Sequence, residues 1–284
     1  MRTTVVVGYD RTLPSGRALL EAGREAAYRD ADITVVHVRR PDTAASRGTD
    51  AAEREASAST ASFGAGVLRH HYPGLTIRAE ALVGAPHEVL ASAARGADLL
   101  VLGSTDSPDA TGQMLGPVAE ETLARTPCPT MVVRSGERFP RGVVLVAIDL
   151  AERAEEVVDF AFAEARFHAA RLHAVSAVEP AELRALVGAT APAPDPRAGS
   201  RVALDRILAE RQERCVRVQA GGEVVAGPPT SVLTAAAAGA DLVVAGARRR
   251  HGEHCGERYG VRIGPVAQAL LRGTACPVII VPHS

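Results

Sequence analysis

The sequence VVVGYD at residues 5–10 recurs 139 positions later as VLVAID at residues 144–149, and each run ends in an aspartate. Such short β-branched runs are typical of strands that are buried on both faces of a parallel sheet. Further blocks recur in the same order, starting at residues 31, 83, 96 and 116 and again at residues 170, 226, 239 and 264. The offset between matching residues increases along the chain, but only between the blocks and not within them. The extra residues of the second copy therefore fall in the segments that connect the blocks. The sequence therefore predicts one structural unit that occurs twice.

Each copy is long enough to bury a hydrophobic core of its own, which distinguishes a duplicated domain from the short units of a solenoid. Strand and helix patterns alternate in each copy, and right-handed crossovers between the strands then produce a doubly wound sheet. The predicted fold is α/β, with two tandem five-stranded parallel sheets of strand order 3-2-1-4-5. The predicted domains are residues 1–136 and 143–284.

The elements of the first copy follow from periodicity and from turn residues. Residues 12–16 are expected to form a turn that leads into a helix at residues 17–29. The helix residues expected to face the core are Leu19, Leu20, Ala26 and Ala27. The other predicted segments are strands at 33–38, 75–83, 98–102 and 130–133, a loop and helix within 44–72, and helices at 86–95 and 117–125. In the second copy, the Ala- and Pro-rich residues 189–199 are expected to form a mobile surface loop.

Composition argues against several classes of function. The 284 residues carry a net charge of −1, whereas nucleic-acid-binding proteins usually present a basic stripe. No apolar run approaches the ~18 residues of a membrane span, and no signal peptide is readable. We therefore expect a cytoplasmic protein with no nucleic-acid and no membrane partner. All 32 basic residues are arginine, which excludes the lysine of P-loops and Schiff-base chemistry.

The histidines and cysteines do not match a known metal-site spacing. Residues 251–255 (HGEHC) place two histidines and a cysteine close together, but no second pair with zinc-site spacing follows them. We therefore predict no metal and no catalytic residue. Cys128 and Cys276 occupy equivalent repeat positions before a proline, which indicates a packing position rather than a disulfide.

A candidate ligand site lies where the predicted strands end. In an open α/β sheet, ligands bind outside the carboxyl ends of the strands, where the strand order reverses. Asp10 ends the first predicted strand, and Gly103 ends the fourth and leads into the helix that starts at Gly116. Glycines before a helix N-terminus can form an anion cradle, so the pattern predicts a nucleotide site. The alternative is that Asp10 only caps the first helix and the glycines only turn the chain.

With these features the sequence resembles the universal stress proteins in their tandem two-domain form, over nearly the whole chain. The resemblance depends on the opening strand with Asp10, on residues 33–38, on residues 83–86 before a short helix, and on the Cys-Pro pairs at 128–129 and 276–277. It implies a Rossmann-like fold of the adenine nucleotide alpha hydrolase kind and a stress-response role without catalysis. It also implies an internal pseudo-dimer of the two domains, with a homodimer as a further option. ATP or AMP would be an optional ligand, and no cofactor would be obligatory.

The resemblance also implies which residues would form a nucleotide site in each copy. In the first copy the adenosine end would be held by Asp10, Val38 and Leu102. The phosphates would be held by Gly103, Gly116, Pro117 and Val118. The corresponding residues of the second copy are Asp149, Ala177, Gly246, Arg249, Gly264 and Val266.

Both copies depart from the pattern of the family's ATP-binding members, which is Gly-x-x-Gly, a nine-residue gap, and Gly-Ser/Thr. The first copy keeps Gly103 and the gap to Gly116, but Asp106 replaces the second glycine and Pro117 replaces the hydroxyl residue. A carboxylate repels a triphosphate and proline has no amide hydrogen, so ATP binding is expected to be weakened.

The second copy has a longer gap, with Arg249 at the second glycine position and Pro265 at the hydroxyl position. The arginines at 248–250 could fork onto phosphate oxygens or could form a solvated basic loop, and the sequence leaves both open.

Three functions follow from this pattern. The first is a non-catalytic stress protein that binds an adenine nucleotide in degenerate sites. The second is a nucleotide-free scaffold in which both sites have decayed. A slow nucleotide hydrolase ranks last, because nothing supplies an obvious general base or a hydroxyl for magnesium.

Overall fold

The computed structural model describes residues 2–41, 50–104, 115–134, 140–152, 155–178, 197–249 and 260–284. The chain divides into two compact units. The first comprises Met1–Ser135 with Arg249–Arg262, and the second comprises Gly136–Arg248 with Ile263–Ser284. Among the described residues, no helix is long and apolar enough to cross a membrane.

The first unit is a parallel sheet whose strands alternate with helices. Its elements are β1 (Thr4–Gly8), α1 (Leu13–Arg29), β2 (Asp32–Arg39), α2 (Asp50–His71), β3 (Ile77–Val83), α3 (Pro86–Ala93), β4 (Leu99–Gly103), α4 (Pro117–Leu123) and β5 (Thr130–Val133). The strands pair in the order β3-β2-β1-β4-β5, all in parallel. In the central strand, Val5 and Val7 are fully buried and Val6 is almost so, as expected for a strand covered on both faces.

The second unit repeats this arrangement. Its elements are β6 (Val143–Ala147), α5 (Glu155–Phe167), β7 (Arg171–Val178), α6 (Arg197–Gln212), β8 (Ala220–Ala226), α7 (Pro229–Ala237), β9 (Leu242–Arg249), α8 (Pro265–Gly273) and β11 (Val278–His283). The strands pair in the order β8-β7-β6-β9-β11. The short strand β10 (Val261–Arg262) belongs to the segment that groups with the first unit. The predicted order 3-2-1-4-5 is thus confirmed in both copies.

Helix α1 begins earlier than predicted, since Leu13 to Gly16 form its first turn instead of a separate turn. Thr12 is the N-cap, with its side chain accepting a hydrogen bond from the Ser15 N–H at 3.4 Å. Pro14 fits the first turn of a helix because proline needs no partner for a missing N–H there. The turn residues that suggested a loop are therefore the start signals of the helix.

The inward face of α1 is also shifted from the prediction. Leu19 and Ala26 are buried as expected, but Leu20 is 43% exposed and Ala27 is exposed. Ala22 is fully buried instead. Positions 19, 22 and 26 follow the helical spacing of three to four residues, whereas positions 20 and 27 lie about 100° further round the axis.

Residues 197–199, which were expected to be part of a loop, form the first turn of α6. The rest of that predicted loop, residues 189–196, lies outside the described residues. The same holds for residues 44–49, before α2.

The turn after β3 shows how closely the two units correspond. Gly84 has a φ of +152° and its counterpart Gly227 has a φ of +149°. Each donates its N–H to the last residue of the neighbouring strand, to the Arg39 carbonyl at 2.9 Å and to the Val178 carbonyl at 3.0 Å. This φ region is open to glycine and strained for other residues, so the repeat extends from the sequence to the backbone angles.

Candidate functional site

The candidate site of the first unit lies where β1, β2 and β4 end. Strand β1 pairs with β2 on one side and with β4 on the other, so Asp10 follows β1 at the point where the strand order reverses. The Tyr9 N–H donates to the Val36 carbonyl at 2.9 Å, and His37 Nδ1 lies 2.8 Å from the Tyr9 carbonyl oxygen. The strand-to-helix turn at Asp10 is therefore tied to β2.

Asp10 is held by the turn that opens α1. Its Oδ1 accepts hydrogen bonds from the Thr12 N–H at 3.1 Å and from the Thr12 hydroxyl at 2.6 Å. Its own N–H donates to Ser15 Oγ at 3.2 Å. Between them, Arg11 has a φ of +65°, which is uncommon for a residue other than glycine. Thr12 caps the helix, so Asp10 is not its N-cap and instead fixes the turn that precedes it.

The surroundings of Asp10 favour its charged form. Burial alone would raise the pKa of this carboxyl group, but the hydrogen bonds from Thr12 and Ser15 and the nearby His37 outweigh it, so the pKa of Asp10 lies below its ordinary value. A carboxylate has room for about four hydrogen bonds. The bonds from Thr12 and Ser15 still leave acceptor capacity for a ligand hydroxyl.

Gly103 brings β4 into close contact with the first turn of α1. A Cβ atom at this position would lie 2.4 Å from the Pro14 carbonyl oxygen and 2.8 Å from the Ser15 nitrogen. Next to it, the Ser104 N–H donates to the Val133 carbonyl at 2.9 Å and continues the pairing of β4 with β5. The glycine is thus explained by packing, and this packing places Asp10, α1 and the end of β4 together.

The remaining residues predicted in the first unit occupy different environments. Val38 is half-buried in β2, and Leu102 is buried in β4, where its side chain packs near Gly8. Adenosine could therefore contact Leu102 only through its backbone.

Helix α4 begins beyond residues 105–114, which lie outside the described residues together with Asp106. Its N-cap is Gly116, which has no side chain to cap the helix. Pro117 is exposed and Val118 is half-buried. Among the described residues other than its chain neighbours, no atom lies within 4 Å of the place where a Cβ of Gly116 would be.

The second unit keeps the aspartate turn. Asp149 Oδ1 accepts a hydrogen bond from the Ala151 N–H at 2.9 Å, which matches the bond from Thr12 to Asp10. Ala177 is half-buried at the end of β7. Gly264 is the N-cap of α8, and no described atom beyond its chain neighbours lies within 4 Å of the place where its Cβ would be. Val266 is half-buried in the first turn.

The strand end beside Asp149 differs from that of the first unit. Strand β9 continues beyond Gly246, and β11 continues beside it, so that His283 pairs with Arg248. A Cβ at Gly246 would lie 2.8 Å from the His283 ring and 3.0 Å from Val157 Cγ2. Here the glycine makes room for side chains, whereas Gly103 makes room for backbone.

Two of the arginines after Gly246 lie in a strand and not in a loop. Arg248 and Arg249 are exposed residues of β9, which corrects the expectation of a basic loop at these two positions. Arg248 is paired with Glu152, and the hydrogen bond and charge of this glutamate raise the pKa of the guanidinium group. Residue 250 and the histidine- and cysteine-containing residues 251–255 lie outside the described residues.

Some residues of these sites were not found from the sequence. Thr12 and Ser15 hold Asp10, and a threonine two positions before a proline is a recognisable helix-start signal. Glu152 and His283 meet over a long sequence separation, and no sequence motif connects them. The two equivalent cysteines, Cys128 and Cys276, are buried, and neither forms a disulfide with a described residue. Burial raises the pKa of the Cys128 thiol.

When known proteins are compared with this chain, a family model and curated relatives point to one protein family, and a solved structure shares its fold. The family model described as "Universal stress protein family" matches residues 1–134 and 141–282. The universal stress protein Rv2005c of Mycobacterium tuberculosis is 29% identical over 293 residues, which cover 99% of this chain and 97% of that protein. The universal stress protein Rv2623 of the same organism is 26% identical over 307 residues, which cover 99% and 96%. The crystal structure of a universal stress protein from Archaeoglobus fulgidus covers 99% of this chain and 98% of its own, with a TM-score of 0.76 at 17% identity.

Proposed function

Because the chain belongs to the universal stress protein family and carries two family units, we propose that its first unit binds an adenine nucleotide without turning it over. The observation that carries this proposal is the state of Asp10. It is an ionised carboxylate in a fixed turn, beside the point where the strand order reverses. Ligands of open α/β sheets bind at such a point.

In this proposal the carboxylate of Asp10 accepts hydrogen bonds from the ribose hydroxyls. The backbone at Val38 and Leu102 faces the adenine, and the phosphate lies towards the N-terminus of α4 at Gly116. AMP is expected to bind better than ATP, because Asp106 adds a negative charge and Pro117 offers neither a hydroxyl nor an N–H. We propose no catalytic residue and no metal. The predicted domain bounds and the internal pseudo-dimer remain predictions.

Calorimetric titration with AMP tests the proposal. Asp10→Ala is expected to weaken AMP binding at least about tenfold, because a hydrogen bond to a charged group contributes about 1.5–3 kcal/mol. The matched control is Asp149→Ala, which removes the equivalent carboxylate from the second unit. Equal AMP affinity of the parent and Asp10→Ala would refute the role of Asp10. Incubation with ATP, followed by measurement of released phosphate, tests the absence of turnover.

One observation favours a scaffold without nucleotide as the second candidate function. The contacts of Gly103 with α1 and of Thr12 with Asp10 account for these residues by packing and turn formation alone. Mass spectrometry of the protein purified under native conditions separates the two functions. A co-purifying adenine nucleotide supports the first, whereas its absence together with no measurable AMP binding supports the scaffold.

A further inference from the structure

We propose that Arg248 and His283 form an anion site in the second unit, and that the carboxylate of Glu152 occupies it in place of a phosphate group. A phosphate-bearing ligand would then bind there by displacing Glu152. The proposal concerns a set of residues separate from Asp10 and does not depend on nucleotide binding by the first unit.

The two basic side chains converge on one carboxylate. Arg248 pairs with Oε1 of Glu152, and His283 Nε2 lies 3.9 Å from Oε2. The His283 side chain is only 5% exposed and lies against Gly246, where a Cβ would come within 2.8 Å of its ring. One carboxylate oxygen thus faces a guanidinium group and the other faces a buried imidazole. Arginine and protonated histidine side chains are donors that hold phosphate oxygens in proteins.

The cluster lies at the edge of the sheet where ligands bind in this fold. The Glu152 N–H donates to the Asp149 carbonyl at 3.2 Å, so Glu152 belongs to the turn after β6. Arg248 and His283 are paired residues near the ends of β9 and β11. The anion position is therefore next to Asp149, at the reversal of strand order.

Glu152 is suited to being displaced. Its side chain is 26% exposed and that of Arg248 is 64% exposed, and ion pairs in contact with water contribute little. A phosphate dianion carries more charge than a carboxylate and can accept both N–H groups of the arginine fork. Phosphate can therefore compete with Glu152, while Glu152 lowers the apparent affinity.

The blocking carboxylate is a feature of the second copy. The repeat places Leu13 at the position equivalent to Glu152. Leu13 is the first residue of α1 and is 69% exposed. The first unit thus has no carboxylate at this place.

The experiment uses the full chain with Asp10→Ala in every variant, so that its outcome does not depend on the first unit. Inorganic phosphate is titrated while histidine side-chain NMR signals and binding heat are followed. Glu152→Gln keeps the size of the side chain and removes its charge, and it is expected to strengthen phosphate binding at least about tenfold. Asp205→Asn is the matched control, since it removes another exposed carboxylate that is paired with an arginine, and it should leave the affinity unchanged.

Adding Arg248→Ala to Glu152→Gln should abolish the gain. Arg248 is exposed, so this variant should fold, and circular dichroism checks that it does. Unchanged phosphate affinity in Glu152→Gln would overturn the proposal. So would a gain that persists without Arg248, or an equal gain in Asp205→Asn.

Discussion

Replacing Gly103 with alanine should destabilise the first unit, because the new methyl group would meet backbone atoms instead of a mobile side chain. It would lie 2.4 Å from the Pro14 carbonyl oxygen, 2.5 Å from the Pro14 carbonyl carbon and 2.8 Å from the Ser15 nitrogen. All three distances are shorter than van der Waals contact. The first turn of α1 would therefore have to move away from β4.

The cost follows from that displacement. Forcing extra atoms into a closely packed site typically costs about 1–3 kcal/mol. Moving the turn also strains the hydrogen bonds from Thr12 to Asp10, and each such bond is worth roughly 0.5–1.5 kcal/mol. We expect a total loss of about 3 kcal/mol. At roughly 2–4 °C per kcal/mol, the unfolding temperature should fall by about 6–12 °C.

Two other glycines serve as matched controls. Gly246→Ala is the same change at the equivalent position, but the atoms that its Cβ would meet belong to the side chains of His283 and Val157. These can move, so we expect less than half the loss. Gly66→Ala lies within α2 with no atom within 4 Å of the new Cβ, and it should stabilise the chain by up to about 1 kcal/mol.

Thermal and denaturant unfolding, followed by far-ultraviolet circular dichroism, measures all three variants. AMP titration of Gly103→Ala at low temperature then shows whether the turn at Asp10 has also moved. A loss in Gly103→Ala no larger than that in Gly246→Ala would refute the argument from backbone contact.

The other predictions concern the turn after β1. Thr12→Ala removes both the N-cap of α1 and the hydrogen bonds that hold Asp10, so it should lower the free energy of unfolding by about 1–2 kcal/mol. Ser59→Ala, at an exposed position of α2, is the control and should change it by less than ~0.5 kcal/mol. Equal losses of the two variants in denaturant unfolding would contradict this. Burial opposes ionisation of Asp10, but the bonds from Thr12 and Ser15 lower its pKa below 3.8. Its stabilising contribution should be complete above that pH and be lost as the pH falls through the folded-state pKa. The difference in unfolding free energy between the parent and Asp10→Asn should therefore shrink below about pH 3.8, and a difference that stays constant in more acidic solution would contradict this.

The sheet order could be predicted from the sequence because the signals are local and occur twice. A short β-branched run such as Val5 to Val7 favours a strand over a helix, and right-handed crossovers then restrict the strand order. The start of α1 was missed for a different reason. Thr12, Pro14 and Gly16 occur both in turns and in first helical turns. In the structure Thr12 caps the helix and Pro14 lies in its first turn, so these residues act as start signals.

The site was predicted only in part. Asp10 was identified because it follows a strand at the reversal of order, which is a property of topology. The cluster of Glu152, Arg248 and His283 forms because β9 extends beyond Gly246 and pairs there with the last residues of β11. That extension brings residues about 100 positions apart together, and strand ends are the least reliable part of a sequence-based assignment.

The difference between Leu13 and Glu152 has a consequence for how such a chain evolves. When two identical subunits assemble, every substitution appears in both of them, so a change that closes one crevice closes the other. Fusion of the copies removes this constraint while keeping them in a fixed one-to-one ratio. One half can then acquire a charge, as at Glu152, that its sibling with Leu13 does not carry.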